Sequence, residues 1–299
     1  MGASLRRLHP GLEVRHLWVE SEGDQRPDEP LARLGGKGLF AGAVERALRS
    51  GEADLAVHSM KDLPAAEGDS GGLRIAAVPM REDVRDCLIS RTGATSVEQL
   101  PPGAVLGTSG PRRAAQALRL RPDLRIKAIR GNVETRLRKA TTDGPGADGV
   151  AYDATLLAMA GLKRSGLAGG YAPLSTSAML PAAGQGALAL QCRSDDAVTL
   201  RRVLPLNHAP SAQAAELERA VVAALAGDCH SPIAAMASFL PGPGGVEQLR
   251  LQARVLSPDG GRCCEADVTL PARRATRLVR EVLKRLREAG AEGLLRASA

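Results

Sequence analysis

The chain has 299 residues and a mass of 31.1 kDa, enough for two or three units, each with its own core. Hydrophobic residues make up 44%, ordinary for a globular protein, but aromatics supply only 2%. The core must therefore be built from Leu, Val, Ala and Ile, and stacking of bases on Phe or Tyr is excluded as a binding strategy. The formal charge is +7, and of the 40 basic residues six are Lys and 34 Arg, whose planar forks suit carboxylate or phosphate. No apolar run approaches the roughly 18 residues that span a bilayer, and the start MGASLRRLHPG lacks the apolar core of a signal peptide. Cysteines 87, 192, 229, 263 and 264 show neither C-x-x-C nor zinc spacing, so free thiols in a cytoplasmic protein are expected, with no metal and no membrane partner.

In chain order, residues 12–19 alternate as a strand, and a polar Asp/Glu/Pro-rich loop covers 20–30. A helix over about 38–50 places Leu39, Val44, Ala47 and Leu48 on one face. Short strands follow at 54–57 and 73–78. From about 86 to 190 strands (86–90, 104–107, 125–129, 153–158) alternate with helices (111–120, 132–140), a βαβ rhythm that predicts parallel sheets. Residues 143–149 form a Gly/Asp-rich loop. A helix at 211–226 stopped by Gly227, strands at 232–240 and 249–256, and an amphipathic helix with Leu278, Val279, Val282, Leu283 and Leu286 inside predict a smaller α+β unit from about 209 to 299.

Ligands of open α/β sheets gather at the carboxyl ends of strands, and several polar clusters fall there. His58-Ser59-Met60-Lys61-Asp62 sets a carboxylate beside an ammonium after a buried strand; it is either a solvated loop or a positioned acid/base pair. Gly107-Thr108-Ser109-Gly110-Pro111-Arg112-Arg113 describes a helix N-terminus, where two cations are unfavourable by roughly 0.3–1 kcal/mol each unless an anion joins them. Arg130-Gly131-Asn132-Val133-Glu134-Thr135-Arg136 repeats the design, with Glu134 able to neutralise one Arg, and Ala160-Gly161-Leu162-Lys163-Arg164 adds a fourth basic end. Together they describe a cleft for a ligand with many anionic groups. Gly35-Gly36-Lys37-Gly38-Leu39-Phe40 lacks phosphate-loop spacing and reads as a loop entering a helix. Cys229, between Gly227-Asp228 and His230-Ser231-Pro232, is either an incidental loop thiol or a nucleophile; the other four cysteines sit in apolar strand-like stretches and read as buried and inert.

These segments, with Arg81-Glu82-Asp83, Leu180-Pro181, Gly184-Gln185-Gly186 and Leu206-Asn207-His208, resemble in order the porphobilinogen deaminase (hydroxymethylbilane synthase) family. The resemblance implies an α/β fold of two type II periplasmic-binding-protein-like domains, residues 1–80 with 187–205 and residues 84–182, plus a C-terminal α+β domain at 209–299. A strand near 187–191 would return the chain to the first domain. It implies a transferase of tetrapyrrole and haem biosynthesis, acting as a monomer on porphobilinogen. Each unit loses ammonia to give an azafulvene that the growing chain attacks, and four additions followed by hydrolysis give hydroxymethylbilane. A dipyrromethane cofactor would be held by a thioether to Cys229, with Asp62 catalytic. Ser59, Lys61, Thr108, Ser109, Arg112, Arg113, Arg130 and Arg136 would bind the cofactor, and Lys37, Arg164 and Gln185 the substrate.

Three departures stand out. The family's first strand and most of its first helix would precede Met1–Leu8, so the start reads as cut short; Gly110 replaces a serine; and Asp228 precedes the cysteine where glycine is usual. The alternatives are an inactive or non-catalytic two-lobed anion-binding protein, and a nucleic-acid binder suggested by charge alone. Arginines clustered at strand ends rather than along a stripe speak against nucleic acid.

Overall fold

The computed structural model describes residues 1–19, 41–65, 71–142, 144, 149–167, 169, 171, 173–227 and 231–296. In chain order these form α1 (Gly2–Leu8), α2 (Gly42–Arg49), β1 (Ala56–Ser59), a 3-10 turn at Met60–Asp62, β2 (Leu73–Ala77), β3 (Asp86–Ser90), β4 (Val105–Gly107), α3 (Pro111–Leu120), β5 (Arg125–Lys127), α4 (Val133–Thr141), β6 (Ala154–Ala158), α5 (Met159–Arg164) and β7 (Leu188–Arg193). After these come α6 (Ala197–Val203), α7 (Ala209–Ala224), β8 (Ile233–Leu240), β9 (Gln248–Leu256), β10 (Cys263–Pro271), α8 (Ala275–Glu288) and α9 (Ala291–Arg296). The expected loops at 20–30 and around Lys37, and most of the one at 143–149, lie outside the described residues.

Three sheets organise the chain, in the orders β1-β7-β2, β3-β6-β4-β5 and β10-β9-β8. The expectation of parallel sheets is only partly met. The βαβ rhythm does make β4 parallel to β5 and to β6, because α3 and α4 carry the chain back between those strands. But β3 runs antiparallel to β6, and β7 enters between β1 and β2 antiparallel to both. The reason is the crossing of the chain: it leaves the first sheet after β2 and returns from the second as β7, so the returning strand runs against the two it joins. Residues 12–19 are also corrected. They join no ladder; Leu12 and Val14 pack on Leu5, while Trp18 stays 91% exposed, so the alternation marks a half-packed surface segment rather than a strand.

Each sheet has its own apolar filling, built from small and aliphatic side chains as the low aromatic content requires. On β3, Leu88 joins Leu106, Ala117 and Leu156 on the face covered by α3, whereas Cys87 and Ile89 join Leu157, Met159 and Leu162 on the other face. The third sheet buries Leu249, Leu251 and Val255 against Val221 of α7 and Leu278, Val282 and Leu286 of α8. Two glycines let the chain cross back tightly. Gly184 (φ +73) would set a Cβ 2.6 Å from Met60 Cγ, and Gly186 (φ +84) 2.5 Å from the Glu82 carbonyl.

Candidate active site

β1 ends in a closed turn. The Met60 N–H donates to the Ala187 carbonyl (3.0 Å) and the Leu63 N–H to the Met60 carbonyl (3.2 Å), leaving Lys61 and Asp62 between two buried side chains. Asp62 is exposed and Lys61 half-buried. Burial lowers the Lys61 pKa, and Arg113 and Arg112 add to the effect against the opposing pull of Asp62 and Asp86. Beneath the turn, buried His58 meets Gln191 Oε1 (2.9 Å), whose amide donates to Glu45 (3.1 Å), tying β1 to β7 and α2.

The second wall is the start of α3, with Pro111 at its first position. Two cations at a helix N-terminus call for an anion, and the fold supplies one itself. Asp86, at the start of β3, is completely buried. Its Oδ2 accepts from Arg112 Nη2 (2.8 Å) and its Oδ1 from Arg113 Nε and Nη2 (3.0 and 2.7 Å). Burial alone would push the Asp86 carboxyl up, yet the two guanidiniums bring it down to about 2. The anion that the sequence calls for is thus supplied in part from within the chain. Gln185 closes the group, donating to the Val84 carbonyl (2.7 Å) and Asp86 Oδ1 (3.1 Å). Its Oε1 is buried with no partner among the described residues.

The third wall comes from α7 and the chain after it. Arg219 reaches the carbonyls beside Asp62, and Val222, Gly227 and Ser231 complete the wall. Ala226, with φ +52, turns the chain there in a backbone state uncommon for a residue with a Cβ. The three walls enclose a cavity of about 390 Å³, onto which Lys61, Asp62, Arg112, Arg113 and Gln185 all open.

The remaining residues singled out from the sequence are distributed as follows. Ser59 is exposed at the end of β1. Ser109 donates its hydroxyl to the Ile129 carbonyl (2.9 Å), and Thr108 Oγ1 accepts the Gly110 N–H (3.2 Å), so both hydroxyls brace the helix start. Arg136 donates to the Gly131 carbonyl (2.7 Å); burial lowers its pKa, helped by Arg113 and Arg130 and opposed by Asp62. Arg164 donates to the Gly186 carbonyl (2.7 Å) and is not on the cavity wall. Lys37 and Cys229 lie outside the described residues, although Gly227 and Ser231, which flank Cys229, both line the cavity. Burial pushes the Cys87 thiol up to about 12, in keeping with an inert core cysteine; Cys192 and Cys264 are also buried, whereas Cys263 is only half-buried. Asp86 and Arg219 were missed from sequence. A buried acid needs its burial to be known, and an arginine inside an ordinary amphipathic helix carries no local signal.

Two family models match the chain: "Porphobilinogen deaminase, dipyromethane cofactor binding domain" over residues 2–201, and "Porphobilinogen deaminase, C-terminal domain" over residues 212–288. The chain belongs to the porphobilinogen deaminase family. The curated porphobilinogen deaminase of Syntrophotalea carbinolica is 43% identical over 98% of this chain and 89% of its own length. Those of Chromobacterium violaceum and Laribacter hongkongensis are 43% and 40% identical, each over 99% of this chain and 91% of their own. The α/β class and the separate C-terminal unit agree with that membership. The chain is a porphobilinogen deaminase by activity, a transferase that joins four porphobilinogen units head to tail with loss of ammonia to give hydroxymethylbilane, and its cofactor is dipyrromethane. The cavity fits such a group. Lys61, Arg112 and Arg113 outnumber Asp62 on its wall, which suits bound carboxylates, and the orphaned Gln185 Oε1 is an acceptor that a pyrrole N–H complements.

Proposed function

We propose that Asp62 governs the chemistry of this deaminase and that Cys229 anchors its cofactor through a thioether. The observation that carries the reading is the cavity itself, because Asp62, the Arg112–Arg113 pair and both described neighbours of Cys229 share its wall. Dipyrromethane supplies the primer, two linked pyrroles whose free α-carbon is the nucleophile. The chain's own residues bind, orient and stabilise. Asp62 holds positive charge developing on a pyrrole nitrogen and accepts its N–H, a preorganised carboxylate acting where charge appears. Lys61 pairs with an acetate or propionate; burial lowers its pKa, and an arriving carboxylate favours its charged form. Arg112 and Arg113 present the donors that Asp86 leaves over, since each guanidinium has five N–H groups.

Arg130 and Arg136 receive further carboxylates from the α4 side, while Ser59, Thr108 and Ser109 line the approach of the cofactor. Arg164, Lys37 and Gln185 serve the incoming porphobilinogen. The three sheets correspond to the three domains, 1–80 with 187–205, 84–182 and 209–299. A site assembled from one chain supports a monomer, and the four described cysteines, joined by no disulfide, support a cytoplasmic setting.

The test is the intact mass of the denatured protein with turnover beside it. An adduct of two linked pyrroles, absent from Cys229→Ser, is expected, together with loss of turnover in Asp62→Ala. Full activity in Asp62→Ala would remove Asp62 from the mechanism, and an adduct surviving Cys229→Ser would remove the anchor.

A further inference from the structure

The loop that carries Lys61 and Asp62 is held from outside its own sheet. Arg219, on α7, gives Nη1 to the Leu63 carbonyl (3.2 Å) and, at the limit of hydrogen bonding, to the Met60 carbonyl (3.5 Å); its Nη2 reaches the Pro64 carbonyl at 2.7 Å. These acceptors bracket Asp62 on both sides. Among the described residues no other donor meets the Leu63 or Pro64 carbonyl. The preceding residue on the helix, Glu218, is fully buried and holds the segment that packs against the same loop. It takes Arg81 through both carboxylate oxygens (2.7 and 2.8 Å), the Ala237 N–H (2.8 Å) and the Gly184 N–H (2.7 Å). Gly184 in turn packs directly on Met60 and the Lys61 amide. Adjacent residues of one helix therefore bear on the Asp62 turn, Arg219 directly and Glu218 through Gly184; the helix ends at Ala224, and the cavity-lining Gly227 follows it.

We propose that Arg219 is a positioning residue for catalysis: it holds the Lys61–Asp62 turn in register with α7, the third wall of the cavity. A guanidinium suits this task, since its planar fork spans several carbonyls at once where an ammonium is a point donor. Its described bonds to this loop go to backbone carbonyls, so its effect falls on the placement of Asp62. The inference rests on the assignment of Asp62 to the chemistry.

The experiment compares Arg219→Met and Arg219→Lys with the intact holoenzyme and with Asp62→Ala. In Arg219→Met, kcat is expected to fall about 10- to 100-fold, the size of effect that a displacement near 1 Å produces. KM should stay within about threefold and the cofactor adduct should remain, since anion binding is untouched. Arg219→Lys should recover part of kcat. Amide hydrogen exchange across Lys61–Ala65 should speed up in Arg219→Met, a change read without any turnover. A raised KM or a lost adduct with kcat intact would overturn the proposal and make Arg219 a carboxylate ligand. Unchanged exchange and kcat within twofold of the parent would overturn it as well. If Arg219→Met does not fold, Arg219→Lys decides by the same exchange and kcat readings. Should Asp62→Ala keep full turnover, the failure lies with the Asp62 assignment, and the exchange data still report whether Arg219 holds the turn.

Discussion

Two strand–loop–helix junctions of the second sheet carry arginines in similar places and end in opposite electrostatic states. At the β4–α3 junction, Arg112 and Arg113 are buried and share the carboxylate of Asp86, which they bring down to about 2. At the β5–α4 junction, the Arg136 donor goes to a neutral carbonyl, that of Gly131, and the nearest like charges are Arg113 and Arg130 with only Asp62 opposing. The first pair is part of the architecture and also faces the cavity. In the second, Arg136 has no carboxylate within hydrogen-bonding distance among the described residues, a setting that a ligand carboxylate suits. A basic strand end therefore says little until the anion that answers it is located.

The sharpest way to break this comparison is to remove Asp86. Asp86→Ala leaves two buried guanidiniums without a counter-charge, a change that costs about 3–5 kcal/mol. Urea denaturation should show it, and a loss below about 1 kcal/mol would mean that the arginines reach water or another anion. The same carboxyl fixes an acid limb. Its folded pKa lies below the ordinary 3.8, so its contribution is complete above pH 3.8 and is lost as pH falls toward 2. The size is on the order of 2 kcal/mol, from about two units at 1.36 kcal/mol each. In Asp86→Asn the slope of stability against pH between 4 and 2 should become shallower, leaving only the share of other lowered carboxyls such as Asp153 and Asp196.

The second junction should behave the other way. Arg136→Ala is expected to leave stability within about 0.5 kcal/mol, because the lost bond is to an exposed carbonyl. Cofactor binding should weaken about tenfold, equivalent to about 1.4 kcal/mol and read as a lower fraction of protein carrying the adduct, with a weaker dependence on salt. A variant that loses stability but binds normally would place Arg136 with Arg112 and Arg113 as architecture.

How far such distinctions could be read in advance depends on whether the signal is local. β3, α3 and α8 follow from local patterns: β3 from an apolar run, α3 from Pro111 at its first position, α8 from one apolar stripe. Residues 12–19 alternate just as a strand does, but a strand needs a partner, and pairing is a long-range property. The end of α7 shows the same limit on a smaller scale. Gly227 is the expected site of a left-handed turn, yet Ala226 takes the positive φ, because Gly227 is pressed so close to Ile233 that a Cβ there would lie 2.4 Å from its Cδ1. Within the site, Lys61, Asp62, Arg112 and Arg113 are legible from motifs. Asp86, in contrast, is simply the first residue of an apolar strand, and its importance comes from α3 folding over it.

The fourth basic end sets the lower bound of the comparison. Lys163 Nζ lies 2.8 Å from Glu82 Oε1, as short as the contacts around Asp86, and 3.8 Å from Asp83 Oδ2, but with 41% and 37% of the Lys163 and Glu82 side chains exposed. Water screens the attraction there, and an ammonium at the surface gives up hydration for each contact it makes. Asp83 also has a second cation, Arg85, at 2.7 Å, so removal of Lys163 does not strand it. Lys163→Met should therefore change stability by less than about 0.5 kcal/mol, and the change should shrink further in 0.5 M salt. A loss near 2 kcal/mol that persists in salt would show that distance, rather than burial, separates the strong pairs of this molecule from the weak ones.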